Sequence, residues 1–124
     1  MKTKNIQVLI VDDQEAFRSA ARLVVELTEG FDVIGEGGTG EEGITLVDTL
    51  QPDLVLMDIN MPGIDGLEAT RRITGSHPGT KVLIFSTYEA NEYDSRARDA
   101  GAIAFVPKAD FDPAILVSTW QLAD

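Results

Sequence analysis

Apolar residues in this chain fall into short runs separated by stretches with a helical rhythm. Ile6 to Val11 is nearly continuous in apolar, β-branched character, the pattern of a parallel strand covered on both faces. Comparable runs recur at Phe31 to Gly35, Asp53 to Met57, Val82 to Phe85 and Ile103 to Val106, most of them bounded by Gly, Pro, Asp or Ser. Between the runs, apolar residues recur at a 3.6-residue period: Ala16, Ala20, Leu23, Val24 and Leu27; then Ile44, Val47 and Leu50; then, less cleanly, Leu67, Thr70, Arg71 and Ile73. Two further helices are expected over Glu89 to Ala100 and Pro113 to Leu122. Strict alternation of strand and helix predicts an α/β fold, a five-stranded parallel sheet of order 2-1-3-4-5 with helices on both faces, a three-layer αβα sandwich.

Length and charge narrow the role of such a domain. The 124 residues, 44% hydrophobic, fit one compact domain that buries roughly two-thirds of its unfolded surface. Ten Lys and Arg against 21 Asp and Glu give a formal charge of -11, which repels nucleic acid and anionic membranes, so direct DNA binding by this domain is not expected. No cysteine is present, which excludes disulfides and thiolate metal sites and suits a reducing cytoplasm. The single histidine, His77, excludes a histidine-cluster metal site. The apolar run before Asp12 is too short for a signal-peptide core or a membrane span, so a cytoplasmic chain is expected.

The predicted topology gathers chemistry at one sheet edge. Asp12 and Asp13 end the first strand and Asp58 ends the third, the two strands that flank the switch-point crevice. Three adjacent carboxylates raise one another's pKa or attract a hard cation, and an all-oxygen donor set suits Mg²⁺, with Mn²⁺ or Ca²⁺ as substitutes, rather than zinc. Asp12 and Asp13 taken alone are equally well read as caps of the first helix. Ser86 ends the fourth strand and Lys108 the fifth, so a hydroxyl and a cation join the carboxylates. Singly, these read as a strand-end hydroxyl and a surface lysine. Together they supply what phosphoryl transfer to a carboxylate requires: a nucleophile, a neutralising ion and donors to the equatorial oxygens.

Val11-Asp12-Asp13, Leu56 to Gly63 (LMDINMPG), Ile64-Asp65-Gly66, Phe85-Ser86-Thr87 and Val106-Pro107-Lys108 resemble, in order and spacing, the motifs of response-regulator receiver domains of two-component systems. The resemblance spans nearly the whole chain and implies the CheY-like version of the flavodoxin-like fold. It implies that Asp58 is the phosphoacceptor and that Asp12, Asp13, Asp58 and the Asn60 backbone carbonyl hold Mg²⁺. Ser86 and Lys108 would bind the phosphoryl oxygens, and Phe105 would be an aromatic switch whose ring turns inward as Ser86 is drawn to the phosphoryl group. Phe105 reads equally well as a core aromatic of the fifth strand. The implied partner is a histidine kinase or phosphotransfer protein, with a homodimer possible and no membrane contact. The output surface would be the fourth helix, fifth strand and fifth helix. Pro107-Lys108-Ala109-Asp110 and Gly66-Leu67-Glu68-Ala69 resemble the LuxR/NarL-type branch, which implies control of a transcriptional output domain outside residues 1–124. A stand-alone receiver or a phosphorelay intermediate is the alternative.

Three other readings compete. Gly35 to Gly40 satisfies G-x-G-x-x-G, but Glu36, Glu41 and Glu42 crowd the place a pyrophosphate would take, and a flexible turn into the second helix is the simpler reading. An FMN carrier would need a hydroxyl- and glycine-rich loop after the first strand, where this chain has Asp12-Asp13-Gln14-Glu15. A phosphatase of the haloacid dehalogenase type would carry a second acid two residues after its nucleophile, where Asn60 stands. The chain is therefore expected to be a switch that catalyses only its own phosphorylation and slow dephosphorylation, not an enzyme with turnover. In the family the bond after the lysine is commonly Lys-Pro and cis. Here it is Lys108-Ala109, and a cis bond is expected despite its cost of about 3–4 kcal/mol, to let the lysine reach Asp58.

Overall fold

The computed structural model describes residues 4–87 and 94–123. Strands β1 (Ile6–Val11), β2 (Phe31–Gly37), β3 (Leu54–Asp58), β4 (Lys81–Ser86) and β5 (Ala104–Pro107) alternate with helices α1 (Glu15–Glu26), α2 (Gly40–Leu50), α3 (Gly66–Ser76), α4 (Asp94–Asp99) and α5 (Pro113–Trp120). All strands pair in parallel in the order β2-β1-β3-β4-β5, as the alternation predicts. β1 and β3 are central and covered on both faces, and all five residues of β3 are buried. That is why they read as unbroken apolar runs.

Side-chain alternation along the strands divides the core into two layers. Leu9, Val11, Val55, Met57, Val82 and Ile84 pack with Val47, Leu67 and Ile73 of α2 and α3 on one face. Val8, Ile10, Leu54, Leu56, Leu83 and Phe85 pack with Ala21, Val25 and Leu116 of α1 and α5 on the other. The expected bounds shift by a residue or two: β2 runs through Gly37, β3 through Asp58, β4 through Ser86 and β5 through Pro107. Residues 89–93 of the expected fourth helix lie outside the described residues. The expected fifth helix ends at Trp120, with a 3-10 turn over Gln121–Ala123.

Two expectations are corrected by packing. The apolar set Ala16, Ala20, Leu23, Val24 and Leu27 is not the inner face of α1: Val24 is half-buried and the other four are exposed, Leu23 by 57% and Leu27 by 69%. Phe17, Ala21 and Val25, also spaced by four, face the sheet instead. That rotation lets Arg18 and Arg22 both reach Glu36 on β2. The glycine stretch is likewise not a flexible turn. Gly35 and Gly37 belong to β2, the Thr39 hydroxyl caps α2 by accepting the Glu42 N–H at 3.0 Å, and the Glu42 carboxylate accepts the Gly38 N–H at 2.6 Å. The Glu36 carboxylate turns to α1 rather than toward a phosphate, and the free N–H group of the loop is occupied by an acid of the chain itself.

Candidate functional site

The carboxyl ends of β1, β3 and β5 meet at one edge of the sheet, and the sequence places ionisable groups at each. Asp12 follows β1 and is buried, with its N–H donated to the Gly37 carbonyl at 3.0 Å. Its Oδ1 accepts the Gln14 N–H at 2.8 Å, which fixes the turn into α1. Asp13 is exposed beside it. Asp58 is the last residue of β3 and is buried, its strand flanked by β1 and β4. Oxygens of Asp12, Asp13 and Asp58 all lie within 4.8 Å of one another, so the three carboxylates converge as expected.

Lys108 reaches this cluster from the end of β5. Its ammonium lies 2.6 Å from Asp12 Oδ2 and 3.4 Å from Asp58 Oδ1. The cis expectation for Lys108-Ala109 is overturned, because the described residues contain no cis peptide bond. Pro107, with φ -61° and ψ 138°, turns the chain into a 3-10 turn over Lys108–Asp110, and this redirection delivers the lysine by a trans path. The local proline replaces the backbone device assumed from the family pattern.

Electrostatics set Asp58 apart. Its pKa is raised from 3.8 to about 6, first by burial, which penalises the charged form, and next by the negative charge of Asp12. The charge of Lys108 and its hydrogen bond oppose this, and Asp13 adds a smaller upward push. Asp12 Oδ2 is buried and accepts no hydrogen bond among the described residues, and its contact with Lys108 is an ion pair without hydrogen-bond geometry. A buried carboxylate oxygen that converges with two further carboxylates, with no imidazole or thiolate in the group, fits a hard divalent cation.

The remaining expected residues lie on β4, β5 and the segment after β3. Ser86 is the buried last residue of β4, one position beyond Phe85, which pairs with Asp58. Asn60 is exposed two residues after Asp58. Phe105 pairs with Ile84 and packs partly buried against the α2–α3 layer of the core, in keeping with its reading as a core aromatic. His77, at the end of α3, lies 2.5 Å from Asp48 of α2 and is no part of the cluster.

Sequence reasoning assigned no role in the site to Gly66, Gln14 or Phe17. Gly66 opens α3 directly against the strand end that carries Asp58: a Cβ there would stand 2.1 Å from the Asp58 carbonyl oxygen and 2.8 Å from the Ile59 Cα. Its N–H also donates to the Ile59 carbonyl at 2.9 Å. The available signal was a glycine at the first helical position just after the capping Asp65, where better helix formers cost less. Gln14 and Phe17 meet the Lys108 ammonium at 3.1 Å and, to the ring centroid, 4.5 Å.

A family model described as the response regulator receiver domain matches residues 8–120. The chain belongs to the response-regulator receiver-domain family. Response regulator GacA of Pseudomonas viridiflava is 40% identical over 103 residues, covering 83% of this chain and 48% of GacA. The transcriptional regulatory protein DegU of Brevibacillus brevis is 36% identical over 83% of this chain and 44% of its own length. The receiver domain thus spans about half the length of these curated relatives. A solved structure of a LuxR-family two-component response regulator from Aurantimonas sp. SI85-9A1 superposes with a TM-score of 0.86 at 33% identity, over 97% of this chain and 86% of that one. The receiver domain therefore has the CheY-like fold, in the LuxR/NarL-type neighbourhood its motifs resemble. No helix among its described residues is long and apolar enough to cross a membrane.

Proposed function

We propose that this receiver domain is a phosphorylation-dependent switch of a two-component system in which Asp58 takes a phosphoryl group from a histidine kinase or phosphotransfer protein. The observation that carries this reading is the buried Asp58 carboxylate, converging with Asp12 and Asp13 within 4.8 Å and with the Lys108 ammonium 3.4 Å away. In the step proposed, an Asp58 oxygen attacks phosphorus, the P–O bond forms, and the P–N bond to the donor imidazole breaks. Its electron pair leaves with the imidazole, which takes up a proton. Asp58 must be ionised to attack, and with a pKa near 6 it is so at neutral pH. Asp12, Asp13, Asp58 and the Asn60 carbonyl would hold Mg²⁺, which neutralises charge on the carboxylates and the transferring phosphoryl oxygens. Lys108 and Ser86 would receive the phosphoryl oxygens, and the chain would catalyse only its own phosphorylation and a slow dephosphorylation.

Displacement of Lys108 and Ser86 would then be read at α4, β5 and α5, where Phe105 sits. The similarity to DegU and to a LuxR-family regulator supports a transcriptional output in the whole protein. Acetyl phosphate with Mg²⁺, followed by intact-mass spectrometry, tests the core of the proposal. One alkali-labile phosphoryl group is expected on the parent chain and none on Asp58→Asn. A group found on Ser86 or Thr87 would overturn it.

A further inference from the structure

Lys108 approaches the carboxylates from β5, but the groups that meet its ammonium on the far side belong to the start of α1. The Nζ atom sits 4.5 Å from the centroid of the Phe17 ring and donates to Gln14 Oε1 at 3.1 Å. Phe17 is held in place by an edge contact with Phe85, centroids 5.2 Å apart, and Phe85 makes a second edge contact with Phe111 at 4.7 Å. The ring therefore belongs to a three-ring cluster of edge contacts whose middle member, Phe85, pairs with Asp58 across β3 and β4. Gln14 occupies the N-cap of α1, where Ser, Thr, Asp or Asn would stabilise the helix, yet its side chain makes no capping bond. Its amide oxygen goes to Lys108 instead.

The chemistry of these two holders differs from that of the carboxylates. A π face and an amide oxygen attract an ammonium without adding negative charge to a site that already concentrates three carboxylates. Such neutral contacts also release the ammonium at low cost when a doubly charged group arrives within reach. We infer that Phe17 and Gln14 are positioning residues that hold the Lys108 ammonium at the rim of the carboxylate pocket, poised for transfer onto phosphoryl oxygens. This rests on the reading of Asp58 as phosphoacceptor. It adds two neutral holders to the ion pairs with Asp12 and Asp58 that already keep the lysine in the site.

The test separates the π face from mere packing. Phe17→Leu keeps an apolar side chain against Phe85 but removes the face, and Phe17→Tyr keeps the face. In the metal-free chain, the Lys108 side-chain protons should show the upfield ring-current shift in the parent and in Phe17→Tyr, and lose it in Phe17→Leu. With acetyl phosphate and Mg²⁺, Phe17→Leu and Gln14→Ala should each phosphorylate about three- to tenfold more slowly, with Phe17→Tyr near the parent rate. Gln14→Ala changes an exposed residue, so it reports even where Phe17→Leu fails to fold. Parent-like rates in Phe17→Leu and Gln14→Ala would overturn the inference, as would equal slowing of Phe17→Leu and Phe17→Tyr, which would mark a packing effect. A parent chain that takes no phosphoryl group on Asp58 would instead overturn the underlying reading, whatever the ring-current result.

Discussion

Burial makes the Asp58 carboxylate a pH-sensitive group of the site. Asp58 is protonated more readily in the folded chain than in the unfolded one, its pKa rising from 3.8 to about 6 because burial and the neighbouring Asp12 disfavour its charge. For a group raised in this way, the stabilising contribution is full below pH 4 and is lost as pH rises through about 6. Two pKa units correspond to about 3 kcal/mol. Urea denaturation in EDTA should therefore show Asp58→Asn gaining on the parent between pH 4 and pH 8, by a margin of that order. Equal pH dependence of the two proteins would refute the assignment. The charge that makes Asp58 a costly residue is the charge that makes it a nucleophile at neutral pH.

Among the elements, the start of α3 shows how a local preference yields to a close approach. Glycine early in a helix ordinarily costs up to about 1 kcal/mol relative to alanine, so Gly66→Ala would be stabilising on propensity alone. The methyl group would meet the Asp58 carbonyl oxygen at 2.1 Å, and that atom belongs to backbone that cannot swing aside. The collision wins. Gly66→Ala should lose at least about 2–3 kcal/mol by chemical denaturation and weaken Mg²⁺ binding, because the strand end that presents Asp58 must shift. A variant as stable as the parent, binding Mg²⁺ equally well, would show that α3 slides without disturbing the site. The capped entry to α2 is the contrasting case: Thr39 and Glu42 satisfy the loop locally.

For the whole molecule, whose formal charge is -11, three carboxylates converge where two strands end, and Lys108 brings a cation to them. Removing it leaves Asp12 and Asp58 buried beside each other without that counter-charge. Lys108→Ala should lose about 3 kcal/mol or more in EDTA, since breaking a buried pair strands a charge. Because the ammonium and a divalent ion compete for Asp12 Oδ2, the same variant should bind Mg²⁺ more tightly than the parent. Saturating Mg²⁺ should then narrow the stability gap, by about 1.4 kcal/mol for each tenfold difference in Kd between the two proteins. Isothermal titration and thermal denaturation with and without Mg²⁺ read both effects, and unchanged Mg²⁺ affinity in Lys108→Ala would separate the lysine from the ion site.

The order of strands, the edge where the carboxylates gather and the membership of Asp12, Asp13, Asp58 and Lys108 in one cluster were legible in the sequence. Alternating strands and helices allow few parallel topologies, and strand ends are marked by where apolar runs meet acids. The face of α1 was not legible, because Ala16-Ala20-Leu23-Val24-Leu27 and Phe17-Ala21-Val25 are two apolar stripes of nearly the same period. Only the reach of Arg18 and Arg22 to Glu36, and of Phe17 to Phe85, selects between them. The lysine path was misread for a similar reason: the effect of Pro107 depends on the turn that follows it, not on the proline alone. Gly66, Gln14 and Phe17 serve groups far away in the chain or across a strand end, so their roles arise from distances that exist only once the sheet and helices have packed.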